Sequence, residues 1–316
     1  MPDGALPLRE RVRRRVKKFR FRMDRRIQRP LEALKYALVR PKEQQKFHVV
    51  SCERGAGKWA LRCLESVYSQ DYDRRRVRHV FLDDESDDGT HELIEQWLRD
   101  HPDHSVEYIH NAERKGGAAN DLTGFRMAEP GSIIIEVDGD DWLPDKNVLK
   151  FFNKVYQKGD IWTTYNTPIR FDNGRYHRNP QTQRCRIAED LIARNRVRLG
   201  PWRSHHLHTF RAELFRHIRE ESLIDPETGE YWETRDKSVF YPMLELAGKH
   251  SRHVYRITYV YNITGFSDFR GDHFTQDVSR RKGRRIRLLP RYKPLESLSA
   301  PVGSAELEPP GQFVGP

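Results

Sequence analysis

Ser132-Ile133-Ile134-Ile135-Glu136-Val137 runs straight into Asp138-Gly139-Asp140-Asp141. A short run of β-branched apolar residues, closed by turn residues, reads as a central strand buried on both faces. The turn holds three carboxylates within four residues, and these repel one another unless a cation or hydrogen-bond donors offset them. Gly139 lets backbone come close to a ligand. A hard divalent ion takes oxygen ligands, and Mg²⁺ or Mn²⁺ accepts one or two carboxylates plus phosphate oxygens. The turn therefore suits a metal–diphosphate site; the alternative is a plain turn in which Asp141 or Asp145 caps the next helix.

Upstream, strands and helices alternate. Phe47–Ser51, Val77–Leu82 and Val106–His110 read as strands, and Lys58–Tyr68, Thr90–Asp100 and about 117–128 as helices. That rhythm makes a doubly wound, parallel sheet, whose ligands bind beyond the carboxyl ends of its strands. A second acidic loop, Asp83-Asp84-Glu85-Ser86-Asp87-Asp88-Gly89-Thr90, stands at another such end. Its carboxylates can accept the imide N–H of a uracil or ribose hydroxyls, unless Ser86 or Asp87 merely caps the helix. Downstream, Trp162–Tyr165, Leu207–Phe210 and Val254–Tyr261 read as strands, and Arg211–Arg219 and Ser238–Gly248 as helices. Beyond Arg291 the chain turns Pro-, Gly- and Ser-rich, which predicts a disordered tail.

Composition narrows the class. The chain has 316 residues, 36% hydrophobic and 33% charged, with no apolar run of the ~18 residues a membrane span needs. It shows no secretory leader pattern. Cys52, Cys63 and Cys185 are too few and scattered for a disulfide framework or a Cys-x-x-Cys metal site, so a reducing cytoplasm is expected. The net charge is +11. Residues 1–46 carry 16 Lys/Arg against 5 Asp/Glu, so the whole excess lies there and the remainder is neutral.

In that basic segment Val12, Val16, Phe19, Met23, Ile27, Leu31, Leu34 and Leu38 recur every three or four residues, a helical stripe. Pro30 should break or kink it, near the first turn of a second helix. Residues 8–40 thus form a basic amphipathic surface. It suits an anionic membrane, placing the chain on the inner face, or packing on the body or on a second copy, as in a homo-oligomer. Nucleic acid fits less well.

Ser51, then Asp83-Asp84 with Ser86, Asp88, Gly89 and Thr90, then Asn111, Gly117 and Asn120, then Asp138-Gly139-Asp140-Asp141 follow in order at family spacings. Together, across roughly residues 46–265, they resemble the inverting glycosyltransferases of family 2, with the GT-A fold and its DXD motif. The resemblance implies an α/β, Rossmann-like, doubly wound and mostly parallel sheet behind a basic N-terminal helical extension (1–45). It implies a nucleotide-sugar half (46–160), an acceptor half (161–290) and the tail (291–316). The implied activity is metal-dependent hexosyl or N-acetylhexosaminyl transfer. The donor would be a nucleotide-diphosphate sugar, a UDP-sugar first. The acceptor would be a hydroxyl on a glycan, a lipid-linked saccharide or a protein.

By the same resemblance, Ser51 and Glu53 border the nucleotide, Asp84 holds the base with Asp83 beside it, and Lys115 and Asn120 flank base and ribose. Asp138, with Gly139, touches the ribose, Asp138 and Asp140 form the metal pair, and Asp141 supports them. A histidine from Trp202-Arg203-Ser204-His205-His206-Leu207-His208 would join the Mn²⁺ or Mg²⁺ or the diphosphate, His208 first and His206 second. On a strand these two share one face. Trp202, His206 and Trp232 are acceptor candidates, or for the tryptophans core residues. Asp236 would be the catalytic base, although Arg235 stands where the family usually has Glu, and Asp236 could instead cap helix Lys237–Ala247.

Two other classes compete: a sugar-nucleotide nucleotidyltransferase, hinted at only by Arg54-Gly55-Ala56-Gly57-Lys58, and a non-catalytic, membrane-associated binding protein on the same fold. ATP hydrolysis is excluded, because Gly55-Ala56-Gly57-Lys58 lacks the four-residue spacer and Trp59 replaces the magnesium-binding hydroxyl.

Overall fold

The structure, a computed structural model, describes residues 27–177, 185–264 and 276–310, without the side chains of 276–280. The chain divides into two compact units, Met1–Arg40 and Pro41–Pro316. In the first, residues 27–37 form helix α1. Pro30 lies in the first turn of the described part of this helix; the segment before residue 27 lies outside the described residues.

The second unit contains β1 (Lys46–Glu53), α2 (Lys58–Tyr68), β2 (Val77–Asp83), α3 (Thr90–Asp100), β3 (Val106–His110), α4 (Gly117–Arg126), β4 (Ser132–Glu136) and α5 (Val148–Lys158). Then come β5 (Thr163–Asn166), β6 (Ile169–Asp172), β7 (Arg175–His177), α6 (Glu189–Ala193), β8 (His205–Arg211), α7 (Ala212–Arg216) and α8 (Arg235–Ala247). β9 (Ser251–His253), β10 (Val260–Asn262), α9 (Gln276–Leu288), β11 (Arg291–Tyr292) and β12 (Leu307–Glu308) complete it.

The main sheet is seven-stranded, in the order β3-β2-β1-β4-β8-β5-β9. β3, β2, β1 and β4 run parallel, β8 is antiparallel to both neighbours, and β5 and β9 are parallel. Central β4 is buried at every position, as its unbroken apolar run predicts. α2 buries Ala60, Cys63, Leu64 and Val67, one helical stripe, against the sheet. α4 packs closer still: a Cβ on Gly124 would lie 2.3 Å from Val50 Cγ1, so only glycine fits there. α8 is buried along nearly its whole length and joins a cluster with Val50, Ile134 and Phe210 to another with Tyr165, Trp232 and Ile286.

Three expectations are corrected. Of the strand predicted over 254–261 only the last two residues are strand, in β10, which pairs with β6 in a separate sheet; β9 precedes that range and extends the main sheet. The helix expected over 211–219 spans only Ala212–Arg216. Residues 291–310 are not a loose tail. β11 pairs with β12, Tyr292 and Ala305 are buried, and the Tyr292 amide donates to Glu245, which also receives the buried Arg198 guanidinium at 2.6 and 2.8 Å. Composition suggested disorder, but this segment has an apolar and ionic anchor. Residues 311–316 lie outside the described residues.

Because β8 opposes β4, its first residues stand beside the carboxyl end of β4, with His208 level with Glu136. That reversal brings histidines to the acidic turn.

Candidate active site

The acidic turn extends the β1–β4 pairing: the Val137 amide donates to Val50 O at 2.9 Å and the Gly139 amide to Cys52 O at 3.2 Å. A Cβ on Gly139 would come within 2.6 Å of Glu53 Cβ and 3.0 Å of Phe81 Cζ. Asp138 receives Arg235 on Oδ1 and has His206 Nδ1 3.6 Å from Oδ2. Burial pushes its pKa up, but Arg235 and then His206 hold it below the usual carboxylate range. Asp141, fully buried, accepts the Asn262 amide at 2.6 Å and so ties β10 to the turn.

Asp140 differs. No other described residue donates a hydrogen bond to its carboxylate. Burial, then the nearby charges of Glu53 and Asp138, push its pKa well up. Glu53 is raised to about 7, mainly by burial. Negative charge gathered here exceeds what Arg235 and His206 offset, and Asp138, Asp141 and His206 offer ligand atoms within 4.8 Å of one another. This donor set fits a hard divalent cation.

Arg235, in the first turn of α8, reaches back across the site. Its Nη1 lies 2.7 Å from Asp121 Oδ2 and donates to Cys52 Sγ at 3.1 Å, while Nη2 meets Asp138. Gly117 makes room, since a Cβ there would sit 3.1 Å from Nη1. Asp121, raised by burial to about 7 despite Arg235, was missed in the sequence; its place beside Asn120 on the buried face of α4 was the available signal. The next residue, Asp236, is 41% exposed, and its Oδ1 lies 3.7 Å from His206 Nε2. Thr234 is the N-cap of α8, so Asp236 does not cap that helix.

His206 is therefore the histidine at the centre, within 3.7 Å of Glu136, Asp138 and Asp236. His208, the first choice from sequence, offers ligand atoms with Glu136 and His206 within 4.8 Å of one another, but deeper in the structure. It is fully buried, stacked on Phe240, with its ring nitrogens bonded to Glu136 at 2.9 Å and Ser204 at 3.0 Å. Both nitrogens are engaged by neighbours within the protein.

The β2 loop is built by its own acids. Asp83 Oδ1 accepts from the amide and hydroxyl of Ser86, and Oδ2 from Tyr108 at 2.8 Å and His110 at 3.0 Å. All four acceptor positions are engaged within the protein, so Asp83 shapes the loop. Asp84 accepts from Asn111 at 3.2 Å and from the amides of Lys115 and Gly116 at 2.8 and 2.9 Å. Burial pushes its pKa up, but these donors and the Asn120 side chain together hold it below the usual carboxylate range. Asn120 is buried, clamping Asn111 and the Gly116 carbonyl. Lys115 contributes its amide to Asp84 and leaves its side chain exposed.

The Ser51 side chain ends inside the protein. Its hydroxyl is fully buried between His79 Nε2, 3.0 Å away, and Cys63, so only its backbone could face a nucleotide. Trp232 is a core residue, 1% exposed. Trp202 packs edge-on against Tyr241 at 4.9 Å and stays half-buried. The Gly55 and Gly57 amides donate to Ser86 and Thr90 hydroxyls at 2.9 and 2.7 Å, so this loop does not present them to phosphates.

A mostly parallel α/β sheet whose carboxyl edge gathers this acidic cluster defines a GT-A glycosyltransferase. The chain belongs to glycosyl transferase family 2, whose model matches residues 48–219. An uncharacterized glycosyltransferase of Nostoc sp. is 27% identical over 150 residues, 47% of this chain and 44% of that protein. The crystal structure of S. aureus TarS 1–349 has a TM-score of 0.54 at 19% identity, over 77% of this chain and 65% of TarS. TarS in complex with UDP-GlcNAc gives 0.53 at 17% identity, with the same coverage. The chain thus spans less than two-thirds of these relatives' lengths.

Proposed function

We propose that this chain transfers a hexosyl or N-acetylhexosaminyl group from a UDP-sugar to a hydroxyl of a glycan, lipid-linked or protein acceptor, inverting the anomeric carbon. The observation that carries this reading is the row Asp138–His206–Asp236, with separations of 3.6 and 3.7 Å. It sets a half-exposed carboxylate beside the acidic turn where a donor diphosphate would lie.

Inversion needs one displacement: a base on the acceptor side and the diphosphate leaving from the opposite side. Asp236, open to solvent, accepts the acceptor hydroxyl's proton as that oxygen attacks. The uracil would lie beside the β2 loop that Asp84 organises, and the presence of UDP-GlcNAc in the TarS crystal supports a uridine donor. Asp138 and Asp140, with His206 alongside, would hold Mg²⁺ or Mn²⁺, whose charge offsets that developing on the departing diphosphate. Arg235 fixes Asp138 and the first turn of α8 as one unit, which sets the distance between base and donor.

A panel of nucleotide sugars, each with and without Mn²⁺ or Mg²⁺, tests the reading. Thermal stabilisation and slow hydrolysis should appear with a UDP-sugar and metal and vanish with EDTA. Pyrophosphate release from a nucleoside triphosphate, or no donor response at all, sinks it.

A further inference from the structure

Helix α1 leaves an apolar stripe bare: Ile27, Leu31, Leu34 and, in the turn that follows, Leu38 are 49%, 52%, 60% and 75% exposed. Steps of four, three and four keep them on one face. Large apolar groups lined up in water mark a surface that something covers. The sequence continues the same spacing upstream through Met23, Phe19, Val16 and Val12.

Charge selects the occupant. Residues 1–46 hold 16 Lys/Arg and 5 Asp/Glu, while the rest of the chain is neutral. A second copy would set two such cationic segments side by side with too few acids to pair them. A nucleic acid would satisfy the arginines but not the leucines. An anionic lipid surface satisfies both, since headgroups attract the basic face and the acyl boundary takes the apolar one.

We propose that this segment docks the chain on an anionic membrane, the Ile27–Leu38 stripe lying in the interface. Among the described residues no helix is long and apolar enough to cross a membrane. The inference is independent of the glycosyltransferase reading, and its test reads no activity.

The full chain is mixed with vesicles of phosphatidylcholine alone, or with about 30% phosphatidylglycerol, and sedimented. At least about tenfold more protein should pellet with the anionic vesicles, and raising the salt should release it. Leu31→Glu with Leu34→Glu should abolish pelleting while the thermal transition stays in place. Should that pair fail to fold, Leu31→Ala with Leu34→Ala should still weaken binding about threefold or more. Pelleting that is equal for both vesicle types, or absent, overturns the proposal. So does pelleting that survives both pairs of substitutions, which would mean charge alone. A dimer that light scattering detects, that the Glu pair dissociates and that lipid leaves intact, assigns the stripe to a second copy and also overturns it.

Discussion

Arg235 Nη1 lies 2.7 Å from Asp121 Oδ2, joining the first turn of α8 to a buried carboxylate on α4. The same guanidinium meets Asp138, so a single cation organises two walls of the site. The position where the family usually carries Glu is here the neutralising charge for two acids.

Removing that charge leaves Asp121 and Asp138 facing each other. Arg235→Gln should destabilise the protein by about 3 kcal/mol, the lower end for a broken buried pair. The lower end applies because the side chain is 21% exposed. Urea denaturation measures it. Arg235→Lys, which keeps the charge but not the fork, should recover only part.

Asp236→Asn keeps the size and removes the basicity of the carboxylate. Transfer should fall about 10²–10⁴-fold while UDP-sugar affinity, read by calorimetry, changes little. Unchanged transfer would place the base elsewhere.

Gly139→Ala forces a Cβ into Glu53 and Phe81 at 2.6 and 3.0 Å. The turn must shift, at about 1–3 kcal/mol. A stability loss coupled to weaker metal-induced thermal stabilisation is expected, since the same shift moves Asp138 and Asp140. A wild-type metal response would show that the turn does not hold the ion.

His79 gives a pH dependence remote from the site. Burial, then the neighbouring His48, lowers its pKa from 6.5 to about 3, and its Nε2 is 3.0 Å from Ser51 Oγ. The unfolded chain takes up this proton below 6.5 and the folded chain does not. Its contribution is therefore complete above pH 6.5 and is lost as pH falls towards 3. His79→Gln should reduce the slope of stability against pH in that window by about one proton, seen in urea midpoints between pH 7 and 4.

The first half of the fold was legible because each strand and helix there buries a regular face. The Ile133–Ile135 run and the Ala60–Cys63–Leu64–Val67 stripe carry their own periodicity. The second half was less so. β6, β7, α6 and α9 went unread, as did α5 before them, and the strand expected over 254–261 is confined to β10, whose partner β6 lies far along the chain. Composition misjudged 291–310, because Pro and Gly counts do not register the anchor that Glu245 and Arg198 provide.

The order and spacing of the acidic motifs, local in sequence, were enough to name the family and to single out Asp84, Asp138, Asp140 and Asp236 as candidates. Which of them are free for a ligand was a tertiary matter. Asp83, Asn120, Ser51 and His208 are held by hydrogen bonds within the protein, and Arg235 and Asp121 meet only because α8 returns across α4. Residue type and spacing declare what a group can do chemically. Its spare lone pairs and its solvent access depend on neighbours that only folding supplies.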